Sequence, residues 1–140
     1  MANDIPANLE SLVVTDLPKQ VAVPGHAEPA RFWLAPGMFP GVDLRIAGLD
    51  ASRCVGQPHA APHVHDRPEI YLAASEKRGS VVVRVEMDGE TFDVESPFAV
   101  FIPPGVRHCF EVLRCDEPNY AFGILLPDWT PPAQAEGPTE

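Results

Sequence analysis

From residue 42 to residue 126, apolar and polar side chains alternate with a period of two, not 3.6. Val42-Asp43-Leu44-Arg45-Ile46 alternates, and so does Val81 to Met87, where Arg84 and Glu86 interrupt the valines. A further alternating run, Glu90 to Glu95, follows Asp88-Gly89. An Asp-Gly pair between two such runs predicts a two-residue hairpin, because both central residues of its turn need positive φ. More strands are predicted at Phe98–Ile102, His108–Leu113 and Tyr120–Leu126, each bounded by Pro, Gly, Asn or Asp. No amphipathic helix longer than a single turn is evident, and no internal repeat. Short strands at this spacing predict an all-β fold, an antiparallel sandwich or barrel.

Composition sharpens this picture. Proline is unusually common, 17 of 140 residues, and its exclusion from helix interiors disfavours an all-helical chain. The length suits one domain. Residues 1–28 read as an extended arm with at most one strand, 29–126 as the β domain, and 127–140 as a Pro-rich tail with little but Trp129 to bury. Twenty acidic against ten basic residues give a net charge of −10, which excludes nucleic acid and anionic membrane as partners. No apolar run approaches a membrane span, and the first residues lack a basic start and an apolar core, so a cytoplasmic location is expected. Cys54, Cys109 and Cys115 are odd in number and show no CxxC spacing, which argues against a disulfide framework or a thiolate zinc site.

The candidate chemistry lies in two short runs. His63 and His65 in Pro62-His63-Val64-His65 would present both imidazoles to one face of a strand. Glu69 follows Asp66-Arg67-Pro68, whose proline predicts a turn that brings the carboxylate round to the imidazoles. Later, Pro103-Pro104-Gly105-Val106-Arg107-His108 predicts a tight turn that launches a strand at His108. Three imidazoles and one carboxylate suit one divalent ion such as Fe(II), Mn, Co, Ni, Cu or Zn, with coordination positions left open for catalysis.

HxHxxxE followed by PxGxxH in an all-β chain resembles the two motifs of the cupin superfamily, over roughly residues 56–112. The resemblance implies a single-domain jelly-roll barrel and gives His63, His65, Glu69 and His108 the role of metal ligands. The sequence departs from the pattern at Gly56, Gly79, Pro97 and Val112, none of which is a ligand position.

Alternation then assigns faces. With His108 inward, Phe110 and Val112 point in, while Arg107, Cys109 and Glu111 point out; with Glu69 inward, so is Tyr71. Tyr71, Phe110, Tyr120 and Phe122 are the expected substrate contacts, in an apolar, aromatic pocket. His59 reads as a loop residue or as an acid/base group near the substrate, which with Glu69 and Tyr71 completes the catalytic candidates. His26 reads as a surface residue of the arm. The apolar neighbours of Arg45 favour an outward side chain. The lining and the lack of a basic cluster predict an uncharged, hydrophobic small molecule over a sugar phosphate.

The resemblance admits two chemistries: an Fe(II)-dependent, dioxygenase-like oxygenase that also uses O2, which is the favoured reading, or a Lewis-acid isomerase, cyclase or lyase. A non-catalytic small-molecule binder is the third reading. The arm and the outward-facing Ile70 and Leu72 lead us to expect a homodimer.

Overall fold

The computed structural model describes residues 8–19 and 30–133. Alternation has produced eight strands: β1 Arg31–Leu34, β2 Arg45–Asp50, β3 Glu69–Ala73, β4 Val81–Met87, β5 Glu90–Glu95, β6 Phe98–Ile102, β7 His108–Cys115 and β8 Tyr120–Leu125. They form two antiparallel sheets, one in the order β1-β2-β8-β3-β6 and the other β5-β4-β7. The two ladders are separate, so the expected barrel is a two-sheet sandwich in its hydrogen bonding.

The inner faces share one core. Val81, Val83 and Val85 of β4 and Phe110 and Val112 of β7 meet Tyr71, Ala73, Ile102 and Ala121 of the larger sheet. The outward residues of β4 remain near water, where Arg84 meets the carboxylate of Asp93 across the β4–β5 pair at 2.8 Å. The hairpin joining these strands turns at Asp88 (φ 48°) and Gly89 (φ 85°), the conformation the Asp-Gly pair predicts. Ile70 and Leu72 face outward, in rows with Ile124 and Phe101 and with Phe122 and Ala99.

Three features differ from the sequence expectation. The strand expected at Val42–Ile46 runs instead from Arg45 to Asp50, through a glycine and an aspartate that resemble turn residues. Gly48 belongs in the strand because rings cover it: a Cβ there would lie 2.5 Å from Phe122 Cδ1 and 2.9 Å from Trp33 Nε1. Asp50 ends the strand by accepting a hydrogen bond from the Ser52 amide, opening a 3-10 turn at Ala51–Arg53. The short edge strand β1, between Pro29 and Pro36, had no recognisable period. In the arm, a 3-10 turn covers Leu9–Leu12, and pairing with the sheet is limited to the Lys19–Arg31 bridge among the described residues. His26 lies outside the described residues. From the tail, Trp129 packs on Phe101 with ring centroids 5.3 Å apart.

Replacing Gly48 with alanine forces a methyl group into the Phe122 and Trp33 rings and should cost about 1–3 kcal/mol, the usual range for overpacking. Urea unfolding reads this directly; an unchanged midpoint would show that the rings move aside freely.

Candidate metal centre

The backbone brings the two motifs together before any side chain is considered. His63 and His108 exchange both amide–carbonyl hydrogen bonds, at 3.0 and 2.9 Å, as a closely paired antiparallel couple. Such a pair places its side chains on the same face. The segment before it follows the edge of β7, with the Gly56 amide donating to the Val112 carbonyl and the His59 amide to that of Phe110. The Pro103–Val106 turn has Gly105 at φ 84°, with the Val106 amide donating to the Pro103 carbonyl. That is the form of a type II turn, which needs glycine at its third position. The free Gly105 amide then donates to the His65 carbonyl at 2.9 Å, tying this turn to the HxH loop.

His63 and His65 therefore converge without a regular strand beneath them. Their loop is irregular and pairs only at His63, while Val64 between them is 53% exposed. The chain bends at Asp66-Arg67 and enters β3 at Glu69, as Pro68 suggested.

The imidazoles are oriented by carbonyl oxygens. Nδ1–H of His63 donates to Ala61 O and Nδ1–H of His108 to Val106 O, both at 2.8 Å. A carbonyl only accepts, so each ring carries a proton on Nδ1 and turns its Nε2 inward. His63 Nε2 lies 3.1 Å from His65 Nε2, and His108 Nε2 lies 3.0 Å from Glu69 Oε1. Glu69 Oε1 is also 3.6 Å from His65 Nε2. The ligand nitrogens of the three histidines lie within 4.8 Å of one another. Nitrogens on adjacent sites of one transition ion, each ~2.1 Å away, stand ~3 Å apart. The cluster fits that requirement, and two inward lone pairs at 3.1 Å need a cation or proton between them.

Glu69 is the hub of the charge balance. Burial pushes its carboxyl up, but hydrogen bonds from His108 and His65 and their charge outweigh it and bring the pKa down to about 2. For His108, burial pulls the pKa down, yet the bonds to Glu69 and Val106 and the charge of Glu69 raise it above the ordinary 6.5. Burial lowers His63, helped by its two histidine neighbours against the Ala61 bond and Glu69. Gly123 makes space for the carboxylate: a Cβ there would lie 2.7 Å from Glu69 Oε2.

His63, His65 and Glu69 form one wall of a cavity of about 180 Å³, bounded by Phe32, Leu49, Tyr71, Phe110 and Leu125 among others. Tyr71, 3% exposed, stacks on Phe110 with centroids 3.7 Å apart, and its oxygen is 3.2 Å from His59 Nδ1. Burial, with the charges of Cys54 and Glu69, raises the Tyr71 pKa well above 10.0, so the phenol stays a donor. His59, Tyr71 and Phe110 thus lie where the sequence placed them, in the cavity with the ligands.

Other sequence assignments need correction. Tyr120 and Phe122 lie outside the cavity: Ala121, Gly123 and Leu125 of the same strand line it, so the aromatic face of β8 points away. Tyr120 and Phe122 instead meet Trp33 edge-on, at 6.0 and 5.9 Å. Alternation separated the two faces of β8 correctly, but aromatic character suggested the wrong inner one. Small residues face the cavity, where Gly123 leaves room for the Glu69 carboxylate. Arg45, expected to point outward, is exposed, yet it shares the face of β2 that carries Ala47 and Leu49 and stands at the edge of the cavity. Cys109 also contributes to the lining, at the edge of β7; its pKa is raised by burial and by the acids Glu86 and Glu111.

In metal-free protein, the His108 imidazole should titrate above 6.5 and that of His63 below it. The raised His108 value means its pairing stabilises the fold fully below pH 6.5 and is lost as pH rises through that value. The lowered Glu69 value means the carboxylate's share is present above 4.5 and lost as pH falls through about 2. Glu69→Gln should lower the His108 pKa in an NMR titration; identical midpoints for both histidines, unmoved by the variant, would contradict this electrostatic picture.

Neither a protein-family model nor a curated protein matches the sequence. Solved structures do match. An RmlC-like cupin from Shewanella frigidimarina aligns at 15% identity and a TM-score of 0.53, over 81% of this chain and 86% of that one. KdgF from a Halomonas species aligns at 19% identity and a TM-score of 0.52, over 80% and 89% of the two chains. AerE from Microcystis aeruginosa aligns at 14% identity and a TM-score of 0.56, over 80% of this chain; the chain spans only 46% of AerE. At these identities the likeness concerns architecture, and it is that shared architecture which establishes the cupin fold for this chain.

Proposed function

We propose that the chain is a metal-dependent enzyme acting on a small, largely apolar organic molecule, with Fe(II)-dependent oxygenation as its reaction. The observation that carries this reading is the placement of His63, His65 and Glu69 in the wall of an apolar cavity, with the buried His108 bonded to Glu69 behind them. A structural site is closed by its ligands, whereas this one borders space a substrate can enter. A divalent ion held there supplies Lewis acidity and, when it is Fe(II), electrons for chemistry with O2. The three cysteines are free, which suits the reducing conditions of the cytoplasm.

The remaining roles belong to the chain's own groups. A cavity of about 180 Å³ is smaller than the sites of drug-sized ligands, so the substrate is small. The stacked Tyr71 and Phe110 rings give it a flat apolar wall. Leu49, Ala121 and Leu125 exclude water from the same space. Glu69, held ionised, keeps His108 and His65 in position and is the nearest carboxylate for a proton released by the substrate. The Tyr71 hydroxyl lies within hydrogen-bond distance of His59 Nδ1 and so orients His59 as the proton carrier of the cavity.

That His59–Tyr71 pair favours a second reading, Lewis-acid isomerisation, cyclisation or elimination, in which proton transfer is the whole reaction. Oxygen consumption separates the two. Iron-reconstituted protein, offered a panel of 1,3-diketones, phenols and enols together with their carboxylate-bearing analogues, should consume O2 in step with substrate loss. His59→Ala should slow turnover by roughly 10²–10⁴-fold at unchanged iron content, the usual scale for a general acid–base group. Substrate loss without O2 uptake would replace the oxygenase with the Lewis-acid enzyme, and no turnover of any panel member would favour a binding protein.

A further inference from the structure

Among the described residues, Arg45 is the one arginine in the cavity wall. Arg67, Arg84 and Arg114 pair with Asp43, Asp93 and Asp116. Arg45 meets no carboxylate among the described residues; its guanidinium lies over the Phe32 ring, 5.7 Å from the centroid. Glu69, the one acid in the wall, is engaged by His108 and His65. An unneutralised cation in the mouth of an apolar site is notable in a chain of net charge −10.

The ladder fixes the position of this cation relative to the ligands. Arg45 pairs with Leu125 and Leu125 pairs with Glu69, so arginine and ligand carboxylate share one row of the five-stranded sheet. Two interstrand spacings put their backbones about 10 Å apart. Between them the wall is apolar or bare, formed by Leu125 with Ala47 and Gly123 in the adjoining row.

We propose that Arg45 selects the substrate: a small organic acid with a carboxylate at the mouth, a short apolar body along Ala47 and Leu125, and a metal-chelating oxygen at the histidine cluster. This rests on the reading of the cavity as the substrate site. A guanidinium offers two parallel N–H donors that match a carboxylate, and the Phe32 ring holds its plane. On this proposal the substrate is an anion, where the apolar lining, the lack of a basic cluster and an outward Arg45 had led the sequence reading to an uncharged molecule.

Zinc-loaded protein allows a test without turnover, using matched hydroxamates as probes. The monohydroxamates of succinic, glutaric and adipic acid carry a free carboxylate; their ω-carboxamides do not, and both kinds anchor on the metal. By calorimetry, at least one acid should bind about tenfold more tightly than its amide, as expected for a charge-assisted hydrogen bond near the surface. Arg45→Gln should bring that acid to the level of the amide and leave the amide's affinity and the melting temperature unchanged. Equal binding of every pair to the wild type, or a preference that survives in Arg45→Gln, would overturn the role of Arg45 and leave the metal site standing. Failure of all the hydroxamates to bind would overturn the substrate-site reading, and the proposal with it.

Discussion

A carboxylate from one sheet and an imidazole from the other meet across the open end of the sandwich. Glu69 opens β3 in the five-stranded sheet, His108 opens β7 in the three-stranded sheet, and 3.0 Å separates Oε1 from Nε2. Both groups are largely withdrawn from water, His108 to 1% exposure, so each needs the other or a metal ion to offset its desolvation. Much of the local structure serves that meeting. Gly123 leaves space for the second carboxylate oxygen, Pro68 and the bend before it aim the chain into β3, and the Pro103–Val106 turn delivers His108 at the start of β7.

The other two ligands depend on backbone bonds more than on packing. His63 is held by its reciprocal pairing with His108, and the His65 carbonyl is held by the Gly105 amide. Carbonyls of Ala61 and Val106 then fix two of the rings. A loop anchored this way reaches the geometry a metal requires while its own side chains, such as Val64, remain in solvent. Preorganisation of this kind lets an irregular segment serve as a ligand-bearing element.

The sequence made most of the cluster legible and much of the cavity illegible, for a physical reason. The HxH run, the glutamate and the PxG turn are local patterns, and His63, His65, Glu69 and His108 converge as those patterns suggest. The β4–β5 hairpin follows from alternation and the Asp-Gly turn, β6 from an apolar run between Pro97 and Pro103, and their bounds agree with the structure. Alternation, however, separates two faces without saying which is inner. On β8 the outward face carries the large rings and the inward face Ala121 and Gly123, the reverse of what burial propensity suggests. On β2, Gly48 is a packing glycine under Phe122 and Trp33, so it imitated a strand end. Both misreadings come from small residues whose reason is a neighbour distant in sequence.

Metal content of the purified chain, compared with a His63→Ala/His108→Ala double variant, addresses the centre of this picture most directly. After anaerobic reconstitution and removal of loosely bound ions, the wild type should retain close to one divalent transition ion per chain. The double variant, with its β-sheet spectrum intact, should retain almost none. Equal retention by the two proteins, or negligible binding by the wild type, would contradict a metal centre at these histidines.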